Sequence, residues 1–159
     1  MNHTTTDLAY LAGIIDGEGS VSIHSTLARR KFQVYVAQVI VVNSHVPLID
    51  WLHSTFGGIV NVKSVSKKGF IGKRRCYTWT IIGYNLDRLL PLVSPYMIVK
   101  KQQVDSVIEF RGTFGNALHG RDLPDDVKQL RNSLCLKVKA LNAPPTDPST
   151  PLPLVALAH

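Results

Sequence analysis

Apolar residues recur at helical spacing from Leu8 to Ile15, and the pattern then switches to strict alternation. A first helix is predicted over Leu8–Ile15, with Thr6 or Asp7 as N-cap and Gly17 and Gly19 as the stop. From Ser20, the residues Val21, Ile23 and Ser25 fall on one side of a strand, and Ser22, His24 and Thr26 on the other. Arg29-Arg30-Lys31 reads as a turn, and Phe32–Val42 as a long strand rich in β-branched residues. Ser44 is the predicted cap of a helix over Val46–Phe56, with Pro47 tolerated in its first turn. Gly57-Gly58 ends that helix, and two strands follow, Ile59–Val65 and Arg74–Ile82. Helical spacing returns over Asn85–Val93, Ile98–Arg111 and Pro124–Leu141. These elements predict an α+β fold around a four-stranded antiparallel sheet. Residues 1–143 form one domain in this reading. The tail 144–159 holds Pro144, Pro145, Pro148, Pro151 and Pro153 of the chain's nine prolines and reads as a disordered or surface-docked extension.

Composition narrows the function. A chain of 159 residues that is 45% hydrophobic can bury a sizeable core. No apolar run reaches the roughly 20 residues of a membrane helix, and the first residues lack a signal-peptide pattern. Cys76 and Cys135 make neither a CxxC nor a metal spacing, which favours a reducing, intracellular setting. The net charge of +7 favours a polyanionic partner. Much of it is clustered: Arg29, Arg30 and Lys31 in one turn, and Lys67, Lys68, Lys73, Arg74 and Arg75 in one short stretch.

The chemistry concentrates at Leu11-Ala12-Gly13-Ile14-Ile15-Asp16-Gly17-Glu18-Gly19, an apolar small-residue helix ending in two acids separated by glycine. A carboxylate at a helix C-terminus is electrostatically disfavoured. A divalent cation on Glu18, with the Gly17 carbonyl as a second oxygen ligand, would offset that. The alternative is a pair of ordinary acids in a post-helix turn.

This nonapeptide resembles the signature of the LAGLIDADG homing endonucleases, with Ile14, Gly17 and Glu18 as conservative replacements of a Leu, an Ala and an Asp. The resemblance runs from Leu8 to about Lys101, where the element order is similar to the family's α-β-β-α-β-β-α unit. It implies a site-specific, intron-encoded endonuclease that binds a long pseudo-palindromic duplex DNA target as a homodimer. Each phosphodiester would be hydrolysed with Mg²⁺. Single-motif members pair through the motif helix, which implies a dimer interface of Leu8, Leu11, Ala12, Gly13, Ile15 and Asp16. Small residues there let two helix backbones approach. The motif's eighth position implies Glu18 as the metal ligand, while Asp16 accepts hydrogen bonds at the motif turn. The resemblance also implies an organellar or prokaryotic cytoplasmic setting, with intron RNA as a secondary partner.

Two further residues are implied at the site. Lys100 resembles a lysine that stabilises charge on the scissile phosphate or polarises a water; the alternative is a solvated lysine in a first helical turn. Asn43 resembles a polar residue that orients water; the alternative is a turn-forming or capping Asn. The sheet is the expected DNA platform, because a ten-residue strand spans roughly 33 Å, about one turn of duplex. Alternation assigns Ser22, His24, Thr26, Gln38, Asn61, Lys63, Arg74, Cys76 and Thr78 to the groove-facing side. Val34, Val36 and Ile40 fall on the same side. Either they contact thymine methyl groups, or the register slips by one residue and exposes Gln33 and Tyr35 instead. Two other readings compete: a binding protein of this fold without catalysis (a maturase or a DNA-binding regulator), and a basic domain using its sheet for protein contacts.

Overall fold

The computed structural model describes residues 3–28, 32–63, 75–115 and 123–144. Arg29, Arg30, Lys31, Lys67, Lys68, Lys73 and Arg74 lie outside these residues, as does the tail 145–159. Helix α1 (Thr5–Glu18) is followed by strands β1 (Gly19–Ala28) and β2 (Phe32–Asn43) and by α2 (Val46–Phe56). Strands β3 (Ile59–Lys63) and β4 (Cys76–Ile82) come next, then α3 (Gly83–Val93), a 3-10 turn at Ser94–Tyr96, α4 (Lys101–Gly112) and α5 (Asp125–Leu141). The four strands form one antiparallel sheet in the order β1-β2-β4-β3. The fold is therefore α+β.

Helix α1 is longer at both ends than the apolar pattern alone suggests. Thr4, not Thr6 or Asp7, is the N-cap: the Asp7 N–H donates to Thr4 Oγ1 and the Thr4 N–H to the Asp7 carboxylate, each at 3.1 Å. Gly17 does not end the helix, since an exposed glycine weakens a helix without breaking it. Termination falls at Gly19, whose N–H donates to Ile14 O and Ile15 O. A Cβ on Gly19 would stand 2.7 Å from Ile15 Cα and 2.8 Å from Ile15 O, so only glycine lets β1 leave the helix this closely. Helix α2 is capped at His45 without a side-chain bond, and Ser44 makes no cap. Helix α4 begins at Lys101 instead of Ile98 because the preceding residues form the 3-10 turn and a bend.

Val21, Ile23, Ala37, Val39, Val41, Trp79 and Ile81 point from the sheet into the helical layer and are buried against Leu11, Ala12, Ile15, Leu52, Leu86 and Val104. Side chains opposite these, on the other face, stay partly or fully exposed. The Trp79 indole N–H donates to Gly57 O at 2.8 Å, which locks the α2–β3 corner. Gly58 beside it has φ +91°, and a Cβ there would meet Thr80 O at 2.7 Å. Gly58→Ala is expected to destabilise the fold by roughly 2 to 3 kcal/mol, read as a shift of the urea midpoint without change of slope. Helix α5 lies over β1, an edge strand. Asn142 Nδ2 donates to Val21 O at 2.8 Å and the Cys135 thiol to Ile23 O at 3.2 Å.

Candidate active site at the tip of the first helix

The last carbonyls of any helix lack intrahelical partners, and α1 has no basic residue in its own last turn. Lys100 supplies the missing cation from across the fold. Its ammonium donates to Ile15 O at 3.0 Å and to Asp16 O. Lys100 is thus neither a solvated lysine nor a first-turn residue; it is the N-cap of α4, and its charge is directed at the end of α1.

Asp16 completes the clasp in the opposite direction. Its carboxylate accepts the main-chain N–H groups of Ile98, Val99 and Lys100 at 2.8, 3.1 and 2.8 Å. Three successive N–H groups turned toward one carboxylate form an anion-binding nest. Partial burial alone would raise the Asp16 pKa; the three backbone bonds and the nearby Lys100 charge outweigh it and hold the carboxyl below its ordinary value. With both oxygens engaged, Asp16 is unsuited to ligating a metal.

Glu18 is the last helical residue and is exposed. Asn43 Nδ2 donates to Glu18 Oε2, while Asn43 Oδ1 accepts the His45 N–H at 2.8 Å. The His45 bond fixes which end of the amide faces the carboxylate. Asn43, the last residue of β2, therefore forms a turn and also holds Glu18. The tip of α1 thus presents one free-facing carboxylate, anchored by an amide, beside a lysine anchored on the helix carbonyls.

Among the described residues, no group of three or more His, Cys, Asp or Glu side chains comes together to hold a metal ion. The donors at the tip, Glu18 and the helix-end carbonyl of Gly17, are hard oxygens of the kind Mg²⁺ accepts. The described residues of one chain offer too few of them at this tip for a complete shell.

The positions expected at an interface divide. Leu8, Leu11, Ala12 and Ile15 are buried in this chain's own core, and the partly exposed Asp16 has its carboxylate committed to the turn at 98–100. The helical period explains it: the apolar stripe of α1 faces its own sheet. Gly13 and Gly17 lie on the open side together with Tyr10, which is 56% exposed. A Cβ at Gly13 or at Gly17 would meet nothing within 4 Å.

On the sheet, cross-strand pairing aligns the outward side chains in rows. Val42, Thr78 and Asn61 form one row; Ser20, Ile40, Thr80 and Ile59 the next; Ser22, Gln38 and Ile82 a third; His24 pairs with Val36. The register is thus the one in which Val34, Val36 and Ile40 face outward, while Tyr35 points to the helices and packs on Phe110. Ser22, His24, Gln38, Asn61, Cys76 and Thr78 all occupy the outward face, and exposed Arg75 precedes β4. Thr26 and Lys63 fall on that face by register. Ser20, Ile59, Thr80 and Ile82 belong to it as well; the same alternation marks them once strand pairing is known. The turn at 98–100 is a different matter. Nothing in an apolar pattern announces three N–H groups turned to a carboxylate more than 80 residues earlier.

No family model matches the sequence, and no curated protein matches it. Solved structures do. The homing endonuclease I-CvuI in complex with its target, in the presence of Ca, is 17% identical with a TM-score of 0.68, over 89% of this chain and 85% of that one. The archaeal intron-encoded homing endonuclease I-Vdi141I complexed with DNA is 19% identical with a TM-score of 0.70, over 87% and 85%. The LAGLIDADG homing endonuclease I-GzeII in complex with its DNA target is 14% identical with a TM-score of 0.64, over 80% of this chain but 43% of that one. The chain has the LAGLIDADG homing endonuclease fold.

Proposed function

We propose that the protein is a site-specific DNA endonuclease that acts as a homodimer on a long pseudo-palindromic duplex and hydrolyses one phosphodiester on each strand. The observation that carries this reading is the clasped tip of α1. Glu18 is exposed and aimed by Asn43, whereas the adjacent Asp16 is wholly occupied with structure. A protein with no use for Glu18 would gain stability by lacking a carboxylate at a helix C-terminus.

A second copy supplies what one chain lacks. Gly13 and Gly17 leave a smooth strip on α1 that none of the described residues fills, which suits close packing of a second α1. That packing would bring two Glu18 carboxylates together as oxygen donors suited to a divalent cation. A bound Mg²⁺ there would supply Lewis-acid stabilisation of the phosphate charge and a more acidic attacking water. The chain's own residues prepare the site: Asn43 orients Glu18, and Lys100 holds its ammonium next to the helix end, where negative charge gathers on the substrate. The outward sheet face, in a chain of net charge +7, lies along the duplex. A chain spanning 43% of I-GzeII fits a half-sized unit that is paired by dimerisation.

The test is cleavage. Duplexes selected by the protein from a randomised pool are cloned into a supercoiled plasmid, and linearisation is followed with Mg²⁺ and with EDTA. Mg²⁺-dependent linear product is expected; selective binding without cleavage would leave a binding protein of the same fold. Gly13→Ala tests the dimer separately. The isolated chain gains up to about 1 kcal/mol from helix propensity, while the sedimentation-derived dimer constant weakens at least tenfold. A dimer unaffected by the substitution would remove α1 from the interface.

A further inference from the structure

We propose that the outward sheet face recognises thymine 5-methyl groups, so that each preferred half-site is rich in A·T pairs along β2; this rests on the DNA-binding reading above. The face is unusually aliphatic for a surface left open by the helices. Val34, Ile59 and Ile82 are 38%, 48% and 40% exposed, and Val36, Ile40 and Val42 are half-exposed. They come from three of the four strands, and pairing makes them contiguous: Ile40 and Ile59 lie in one row with Thr80 between them, and Ile82 is beside Gln38 in the next. None belongs to the core set, which occupies the opposite face.

In the major groove thymine alone among the bases offers a methyl group, and apolar side chains contact it. Successive outward residues on β2 are about 7 Å apart, close to two base-pair steps of 3.4 Å. Gln38 interrupts the aliphatic line between Val36 and Ile40, and its amide is matched to adenine N6 and N7. An aliphatic line with one amide in it fits a run of A·T pairs better than G·C pairs, which call for Arg or Lys. The chain's positive charge draws in the duplex without choosing a sequence; the choice then falls to the methyl contacts.

The test replaces thymine by deoxyuridine, which removes only the methyl group, in duplexes selected from a randomised pool. Enrichment of A·T pairs is expected, and each contacted methyl lost should weaken binding about fourfold without changing its salt dependence. Ile40→Ser and Val36→Ser remove every side-chain methyl group at their positions and should each abolish the deoxyuridine effect at one position. Selective binding indifferent to deoxyuridine throughout would overturn the proposal and leave the DNA-binding reading intact. No selective binding to any duplex would sink that reading, and this one with it. Loss of dimerisation on Ile40→Ser in the absence of DNA would reassign the face to contact between copies.

Discussion

Glu18→Gln is expected to lower the cleavage rate by roughly three orders of magnitude while leaving DNA affinity within a few-fold. Metal-assisted stabilisation is worth several kcal/mol in such a step, and each 1.36 kcal/mol is a factor of ten. Gln keeps the length of the side chain and an oxygen that Asn43 Nδ2 can still reach, so the local fold has no reason to change. Stability should in fact rise by a few tenths to about 1 kcal/mol, because a charge at the wrong end of α1 has been removed. Opposite movements of rate and stability in one variant would mark Glu18 as a residue kept for chemistry. Full cleavage by Glu18→Gln, measured on the supercoiled plasmid, would end the assignment.

Asp16→Ala should have the largest effect on folding. Three main-chain N–H groups lose a charged acceptor, and the turn carrying Lys100 is released from α1. Hydrogen bonds to a charged group contribute about 1.5 to 3 kcal/mol each when well shielded, and this site is partly solvated, so a total near 3 kcal/mol is expected. In a chain of this size that lowers Tm by roughly 10 °C. Asp16→Asn separates charge from shape. The folded carboxyl is held below its unfolded value near 4, so the stability it contributes is complete above that pH and fades as pH falls through the folded value. Wild type and Asp16→Asn should therefore differ near neutrality and converge in acid. Parallel stability curves down to the lowest pH would show that the charge contributes nothing.

The fold was legible in the sequence because its periods are clean. Val21 and Ile23 alternate with Ser22 and His24, and Tyr77, Trp79 and Ile81 with Cys76, Thr78 and Thr80; a pleat reads such a pattern directly. Helix ends were harder. Cap identity depends on side-chain bonds such as Thr4 to Asp7, and a Gly at 17 is tolerated when the next turn is fixed from outside. The motif located the carboxylates but not their division of labour with the rest of the chain. Whether Lys100 was solvated or engaged, and whether Asn43 made a turn or touched Glu18, turned on contacts 25 to 85 residues apart, which no local pattern encodes. The face of α1 available to a partner was also hidden. Leu11 and Ala12 look as suited to an interface as Gly13 until the sheet beneath them is known.

The bonds from α5 to β1 bear on colloidal behaviour. An unguarded edge strand of ten residues is a template for another chain's backbone, and a chain rich in β-branched residues is a ready partner for it. Asn142 and Cys135 occupy the carbonyls of Val21 and Ile23 along this edge. Helix α5 thereby guards the protein against its own strands. Its removal should appear first as turbidity and thioflavin-positive aggregate, before any loss that a soluble assay would register.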